Sequence, residues 1–354
     1  MRRSARGSVW WWTKVLMDML VVLCGQTVAT LLGRLYFNSG GKSMWMATLS
    51  QTAGAPLLFI PLLLTPPPSA EEHKPAASKM AAIYAGLGTM IGFDNFMYSY
   101  ALLYLPVSTF SLVAATQLAF NAVTSRLINA QRFTALIVNS VVVLTFSAAL
   151  LGVGSSDDET ASNVPRGKYP VGFVLTLAAS AIIALILSLA EVTFEKVIKV
   201  RTMRWVLRMQ MYPCLVATAV SLVGLFASGQ WRTIPGEMAS FKNGKARYVL
   251  TLVGTAVSWQ AAGLGIMRLI TRVSALFANV TATVALPLVP VFAVALFGDR
   301  MTGIKAVAML MAAWGFLSYV YQHYLDGRRA AAAGKGLECR VCADRTGSDA
   351  MSPA

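Results

Sequence analysis

The sequence predicts an all-α integral membrane protein, with ten transmembrane helices arranged as two inverted five-helix repeats. Three observations predict it. The 354 residues are 56% hydrophobic and only 13% charged, where a soluble domain carries about 25% charged residues. Apolar segments of about 20 residues, the length that crosses a bilayer as a helix, recur along the whole chain. Two landmarks also recur half a chain apart. Val107-Ser108 is matched by Val273-Ser274 after 166 positions, and Gln131-Arg132-Phe133-Thr134 by Asp299-Arg300-Met301-Thr302 after 168. An odd number of spans per repeat forces the two halves into opposite orientations.

The spans fall at 15–36, 44–65, 79–104, 106–128, 133–152, 170–192, 207–228, 247–269, 274–297 and 302–322. Helix is the secondary structure that bonds every backbone group locally in lipid. The alternating pattern of a barrel is absent. Residues 1–14 form a cytoplasmic N-terminus. The apolar run after them is too long for a cleaved leader, so it is retained as the first helix. Trp10, Trp11 and Trp12 stand where an interfacial aromatic belt would lie. The first repeat covers 15–152 and the second 170–325, joined by an acidic-then-basic loop at 153–169. Asn38 to Lys42 is a polar turn, and Pro66-Pro67-Pro68 with Glu71, Glu72, His73 and Lys74 is a stiff charged loop. Residues 326–354 form a disordered cytoplasmic tail.

Charge orients the chain. With the N-terminus inside, the inner segments hold 20 of the 30 Lys and Arg residues. That bias puts both termini in the cytoplasm, although the loop with Arg232, Lys242, Lys245 and Arg247 runs against it. The net charge of +15 therefore serves topology and anionic lipid, with no nucleic-acid partner. Cys24 and Cys214 read as packing residues, and the single Cys339-x-x-Cys342 as incidental.

Polar groups inside spans carry the chemistry. Gln26, Asp94, Gln117 and Gln260 each fall near the middle of a span drawn from hydropathy. Secondary transporters bind substrate at that depth, between repeats; the alternative is hydrogen bonding that only joins helices. Asp94 is the one carboxylate well inside a span. A carboxyl in low dielectric favours its neutral form, so it can take up and release a proton during transport. Asp18, near Lys14, is expected to pair with it or reach the interface, and Glu191 and Glu195 to form interfacial ion pairs with Lys196 and Lys199. Gln117 and Asn121 share one helix face, as do Asn95 and Tyr98. Such amides can read the edge of a planar heterocycle, since Asn or Gln pairs twice with one adenine edge. Tyr98, Tyr100, Tyr104 and Trp259 can stack on its faces.

Absences narrow the substrate. No Lys or Arg lies in the central part of a span, whereas a phosphorylated solute would need a cationic clamp there. The expected substrate is neutral or weakly basic. There is no Walker or Rossmann glycine pattern, no metal-ligand set and no catalytic constellation. The chain is thus expected to use a proton gradient and no cofactor, and not to be an enzyme. Asn279-Val280-Thr281 is a formal glycosylation sequon, but it falls inside a span.

Several stretches resemble the plant purine permease family of the drug/metabolite transporter superfamily. They are Arg34 to Lys42, Ser50 to Gly54, Tyr104 to Thr109, Thr116 to Asn121, Glu191 to Lys196, Ser258-Trp259-Gln260, Ala285-Leu286-Pro287 and Trp314 to Leu325. The resemblance implies ten helices with cytoplasmic termini and proton-coupled uptake of adenine, cytokinins and related bases. Together these readings give a plasma-membrane importer of purine-type bases. Asp94 would couple the proton, and Asn95, Tyr98, Gln117, Asn121, Trp259, Gln260 and Gln26 would meet substrate. The alternatives are a carrier of an alkaloid or pyridoxine-like compound, a carrier of phosphorylated metabolites, and a non-transporting scaffold.

Overall fold

The structure, a computed structural model, describes residues 9–66, 75–104, 116–129, 134–154, 169–242, 244–297, 303–304, 306–322 and 324–325. The tail with Cys339 and Cys342, the loops at 67–74 and 155–168, and the landmarks Val107-Ser108, Gln131 to Phe133 and Asp299 to Thr302 lie outside those residues. Among the described residues the regular structure is helical, as an apolar chain in lipid requires. The helices of the first half are α1 (Val9–Asn38), α2 (Met44–Thr52), α3 (Phe59–Leu64), α4 (Ala77–Tyr104), α5 (Thr116–Ile128) and α6 (Ala135–Gly154). Those of the second half are α7 (Tyr169–Val192), α8 (Met203–Ala227), the short α9 (Ile234–Ser240), α10 (Lys245–Arg272), α11 (Ala275–Phe297) and α12 (Ala306–Gln322). Among the described residues, five spans are long and apolar enough to cross a membrane: Val9–Asn38, Met44–Leu64, Pro170–Ile198, Met203–Ala227 and Lys245–Arg272.

Small residues let these helices approach closely, as they do wherever lipid cannot drive association. α1 and α10 run antiparallel along their length. Val22 meets Gly265, Gly25 meets Ala262, Leu32 meets Gly254, and the Tyr36 and Tyr248 rings lie 5.9 Å apart at the far end. A Cβ on Gly25 would sit 2.9 Å from the Ala262 backbone nitrogen and 3.0 Å from the Ser258 carbonyl oxygen. Neither atom can swing aside. Gly25→Ala should therefore cost about 1–3 kcal/mol by overpacking, read as a lower melting temperature in detergent. Gly33→Ala in the same helix is the control, because its Cβ would meet nothing within 4 Å.

α4 and α8 run parallel. Tyr84 stacks on Tyr212 with ring centroids 5.0 Å apart, Gly88 abuts Pro213 and Val216, and Gly92 abuts Val220. α4 also packs on α7, α7 on α5, and α5 and α1 each on α11. The main core draws on both halves, with Val22, Leu87, Leu118, Leu187, Leu269 and Phe277 all buried.

The second span is not one helix. It breaks after Thr52 into a 3₁₀ turn, Ala55–Leu58, before α3 resumes. Pro56 is the cause: it has no N–H to offer the Thr52 carbonyl four residues back. That carbonyl instead accepts from Nε2 of Gln260 on α10, at 3.3 Å. Gly54 fits the break against α10, where a Cβ would lie 2.7 Å from the Ala256 carbonyl oxygen. The sixth span also ends irregularly, in a π-helical turn, Thr193–Ile198, closed by Lys199 at φ 59°.

Candidate functional site

The packing of α5 between α7 and α11, with α4 beside α7, sets a line of polar side chains along one seam. Asp94 on α4 is 3% exposed, and its Oδ1 has no hydrogen-bond partner among the described residues. Burying a carboxyl oxygen without a donor is costly, so this position suits a proton or a bound solute. One helical turn further, the Tyr98 hydroxyl donates to Gln117 Oε1 at 3.3 Å and lies 3.3 Å from Ser180 Oγ on α7. Gln117 Nε2 donates to Asn279 Oδ1 on α11 at 3.2 Å, and Asn279 Nδ2 lies 3.5 Å from the Gln117 carbonyl oxygen. One turn along α5, buried Asn121 donates to the Ala275 carbonyl at 3.4 Å and accepts from Ser188 at 3.4 Å. The structure thus gathers Asp94, Tyr98, Gln117 and Asn121 on one seam, with Ser180, Ser188 and Asn279 completing it.

Gln260 belongs to a different cluster. Its Nε2 patches the Thr52 carbonyl, and its Oε1 accepts from Gln210 Nε2 on α8 at 3.3 Å. Close packing of Gly263 against the Gln210 amide shuts this cluster in. Among the described residues no hydrogen bond joins it to the Gln117 seam. Trp259 is half-buried beside it. Gln26 on α1 is half-buried, with a buried Oε1 that has no hydrogen-bond partner among the described residues. Asn95 is half-buried next to Asp94, and its carbonyl accepts from Ser99 at 2.8 Å. Tyr100 packs on Phe96, which stacks on Trp45 at 4.2 Å, so its ring joins an aromatic cluster off the seam. The Tyr104 side chain is outside the described residues. A crevice of about 320 Å³ between the broken second span and α10 contains none of the candidate residues; it opens beside exposed Leu57, Val253 and Val257.

Polar contacts also close the bundle at both ends. At the end holding the N-terminus, Asp18 is 2% exposed and pairs with Arg268 Nε at 2.8 Å and Arg272 Nη1 at 3.1 Å. The expected partner Lys14 instead lies over the Trp10 ring, 3.0 Å from its centroid. The reason is tertiary: Asp18 faces α10 and Lys14 does not. Nor does Glu191 pair with a neighbouring lysine. It is buried, accepts from Asn129 Nδ2, and caps the start of α11 by accepting from the Ala275 N–H at 3.1 Å. Glu195 pairs with Arg201 at 3.2 Å, and Arg201 also donates to the Thr271 carbonyl. At the opposite end, Tyr36 donates to buried Glu237 of α9 at 2.8 Å, and Ser43 donates to Gln230 at 2.9 Å. Of the three leading tryptophans, Trp10 is exposed while Trp11 and Trp12 pack on the core.

Asn279, Ser180, Ser188, Gln210 and Glu237 are among the polar residues that sequence reasoning did not place at a site. Asn279 is legible as an amide inside an apolar span, although its sequon pattern suggests another role.

Residues 13–329 match the family model for purine nucleobase transmembrane transport. The chain is 52% identical over 334 residues to "Probable purine permease 11" of Arabidopsis thaliana, covering 92% of this chain and 88% of that one. It is 44% identical over 319 residues to "Purine permease 21" of the same plant, covering 89% and 82%. A solved protein structure of 16% identity superposes with a TM-score of 0.59, covering 87% of this chain and 98% of the other. That likeness shows the fold alone.

Proposed function

The chain belongs to the purine permease family of purine nucleobase transporters, multi-pass membrane proteins that are not enzymes, and from that premise we propose that it is a proton-coupled importer of purine-type bases working by alternating access. Adenine, cytokinins and related heterocycles are the proposed substrates, and the plasma membrane the proposed site. The observation that carries the reading is the run from Asp94, whose buried Oδ1 has no hydrogen-bond partner among the described residues, through Tyr98 to Gln117. It sets a proton-binding group one helical turn from Tyr98, whose hydroxyl donates to an amide able to read a base edge. Transport requires that proton and substrate stabilise the two access states unequally, and this adjacency supplies a route for such coupling.

Inverted five-helix halves are supported by the packing pattern. Exchange each element of the first half with its counterpart in the second: α1 with α7, α2–α3 with α8, α4 with α10, α5 with α11. The α1–α10 contact then becomes α7–α4, α5–α7 becomes α11–α1, and α4–α8 becomes the contact of α10 with the second span. All of these pairs are packed. The offset of 166 between the landmarks also carries Asp94 onto Gln260. One half then holds an acid where the other holds an amide that patches a helix break. On this reading the Asp18 and Glu191 contacts close the cytoplasmic mouth, and the Tyr36–Glu237 contact closes the outer one.

The test is uptake of radiolabelled adenine by a base-auxotrophic host. Uptake should rise as the outside pH falls and collapse with a protonophore. Absence of uptake at acid pH, with the protein at the cell surface, overturns the reading.

A further inference from the structure

We infer that Asn279 is a specificity-determining positioning residue: it fixes which way the Gln117 amide points, and so whether a base bearing a donor or an acceptor at its six-position is accepted. The inference rests on the reading of Gln117 as the group that meets substrate.

The Gln117 main chain presents an atom with no choice of role. A backbone carbonyl only accepts hydrogen bonds. The Gln117 carbonyl oxygen lies 3.5 Å from Asn279, so Asn279 must turn its NH₂ that way. Its Oδ1 then faces the Gln117 side chain and accepts from Nε2 at 3.2 Å. Gln117 therefore turns Oε1 the other way, where the Tyr98 hydroxyl donates to it at 3.3 Å. Asn279 is 1% exposed, so water cannot replace these contacts or relax the amide. Each link is dictated by the one before, and the chain ends on main-chain geometry.

The consequence is a fixed polarity. Asn279 uses one of the two N–H groups of Gln117, and Tyr98 uses one lone pair of its oxygen. One donor and one acceptor remain, in a set order. Adenine carries an amino donor at its six-position, and hypoxanthine a carbonyl acceptor there. An amide locked in one orientation separates them, and an amide free to turn over does not. A matched bidentate contact of this kind discriminates by about tenfold or more. Ser180 and Tyr98 sit on the oxygen side; Asn279 is the residue that holds the nitrogen side.

The experiment is competition of unlabelled adenine and hypoxanthine against labelled adenine uptake, scored as the ratio of their inhibition constants. A ratio does not depend on how much protein reaches the membrane. Asn279→Leu should shrink the wild-type ratio about tenfold. Asn279→Asp should restore it, because the oxygen facing Gln117 still accepts, whether the acid is charged or neutral. A wild-type ratio in Asn279→Leu overturns the inference. So does a collapsed ratio in Asn279→Asp, which settles the matter even where the leucine variant does not fold. Gln117→Ala separates the two claims. An altered ratio there with an unaltered one in Asn279→Leu overturns the role of Asn279 alone. An unaltered ratio in Gln117→Ala overturns the reading of Gln117 itself.

Discussion

Asp94→Asn is expected to abolish proton-driven accumulation of substrate while leaving substrate exchange intact. The amide is nearly isosteric with the neutral acid, so it keeps the shape of the protonated site but cannot release a proton. For one proton carried per base, each unit of pH difference across the membrane supports about tenfold accumulation. In the variant the accumulation ratio should fall to one. Exchange of internal unlabelled for external labelled adenine should persist, because it needs no net proton movement. The position favours this outcome. Asp94 is buried, its Oδ1 lacks a hydrogen-bond partner among the described residues, and it stands one turn from Tyr98, which donates to the Gln117 amide. If Asp94 only set helix packing, accumulation would survive the substitution.

The second large effect is structural. Asp18→Asn should destabilise the protein by about 3 kcal/mol, because it leaves Arg268 and Arg272 partly buried without a counter-charge. Their side chains are 32% and 23% exposed, so water offsets part of the loss. Thermal unfolding in detergent should show a clear fall in melting temperature. Adding Arg272→Gln should recover some of it, since one unpaired charge is then gone. Lys14→Ala should have no comparable effect, because Lys14 lies against Trp10 and not against Asp18. An Asp18→Asn protein as stable as the wild type would mean that the ion pairs do not hold α1 to α10.

Much of this architecture was legible because lipid makes composition a strong signal. The apolar segments at 15–36, 170–192 and 247–269 lie within helices long enough to cross a membrane, and the one at 207–228 overruns such a helix by one residue. Mid-span polarity also led to Asp94 and to Gln117, whose amide accepts from Tyr98, one helical turn from Asp94. Partners distant in sequence were not legible. Nothing local to Asp18 points to arginines about 250 positions away, and the nearby Lys14 was a false lead. Gln260 stood out by its position along an apolar span, but that position alone could not reveal that its amide repairs the break made by Pro56. That break was visible as a proline inside an apolar run. Hydropathy averages over it, so the second span was drawn as one helix.

The most direct measurement of proton coupling uses purified protein in liposomes that trap a pH-sensitive dye. Adenine is added outside with no electrical or pH gradient imposed. The wild type should acidify the interior as adenine enters, and Asp94→Asn should give no acidification. Adenine entry without proton movement in the wild type, or acidification of equal size in Asp94→Asn, would contradict the mechanism.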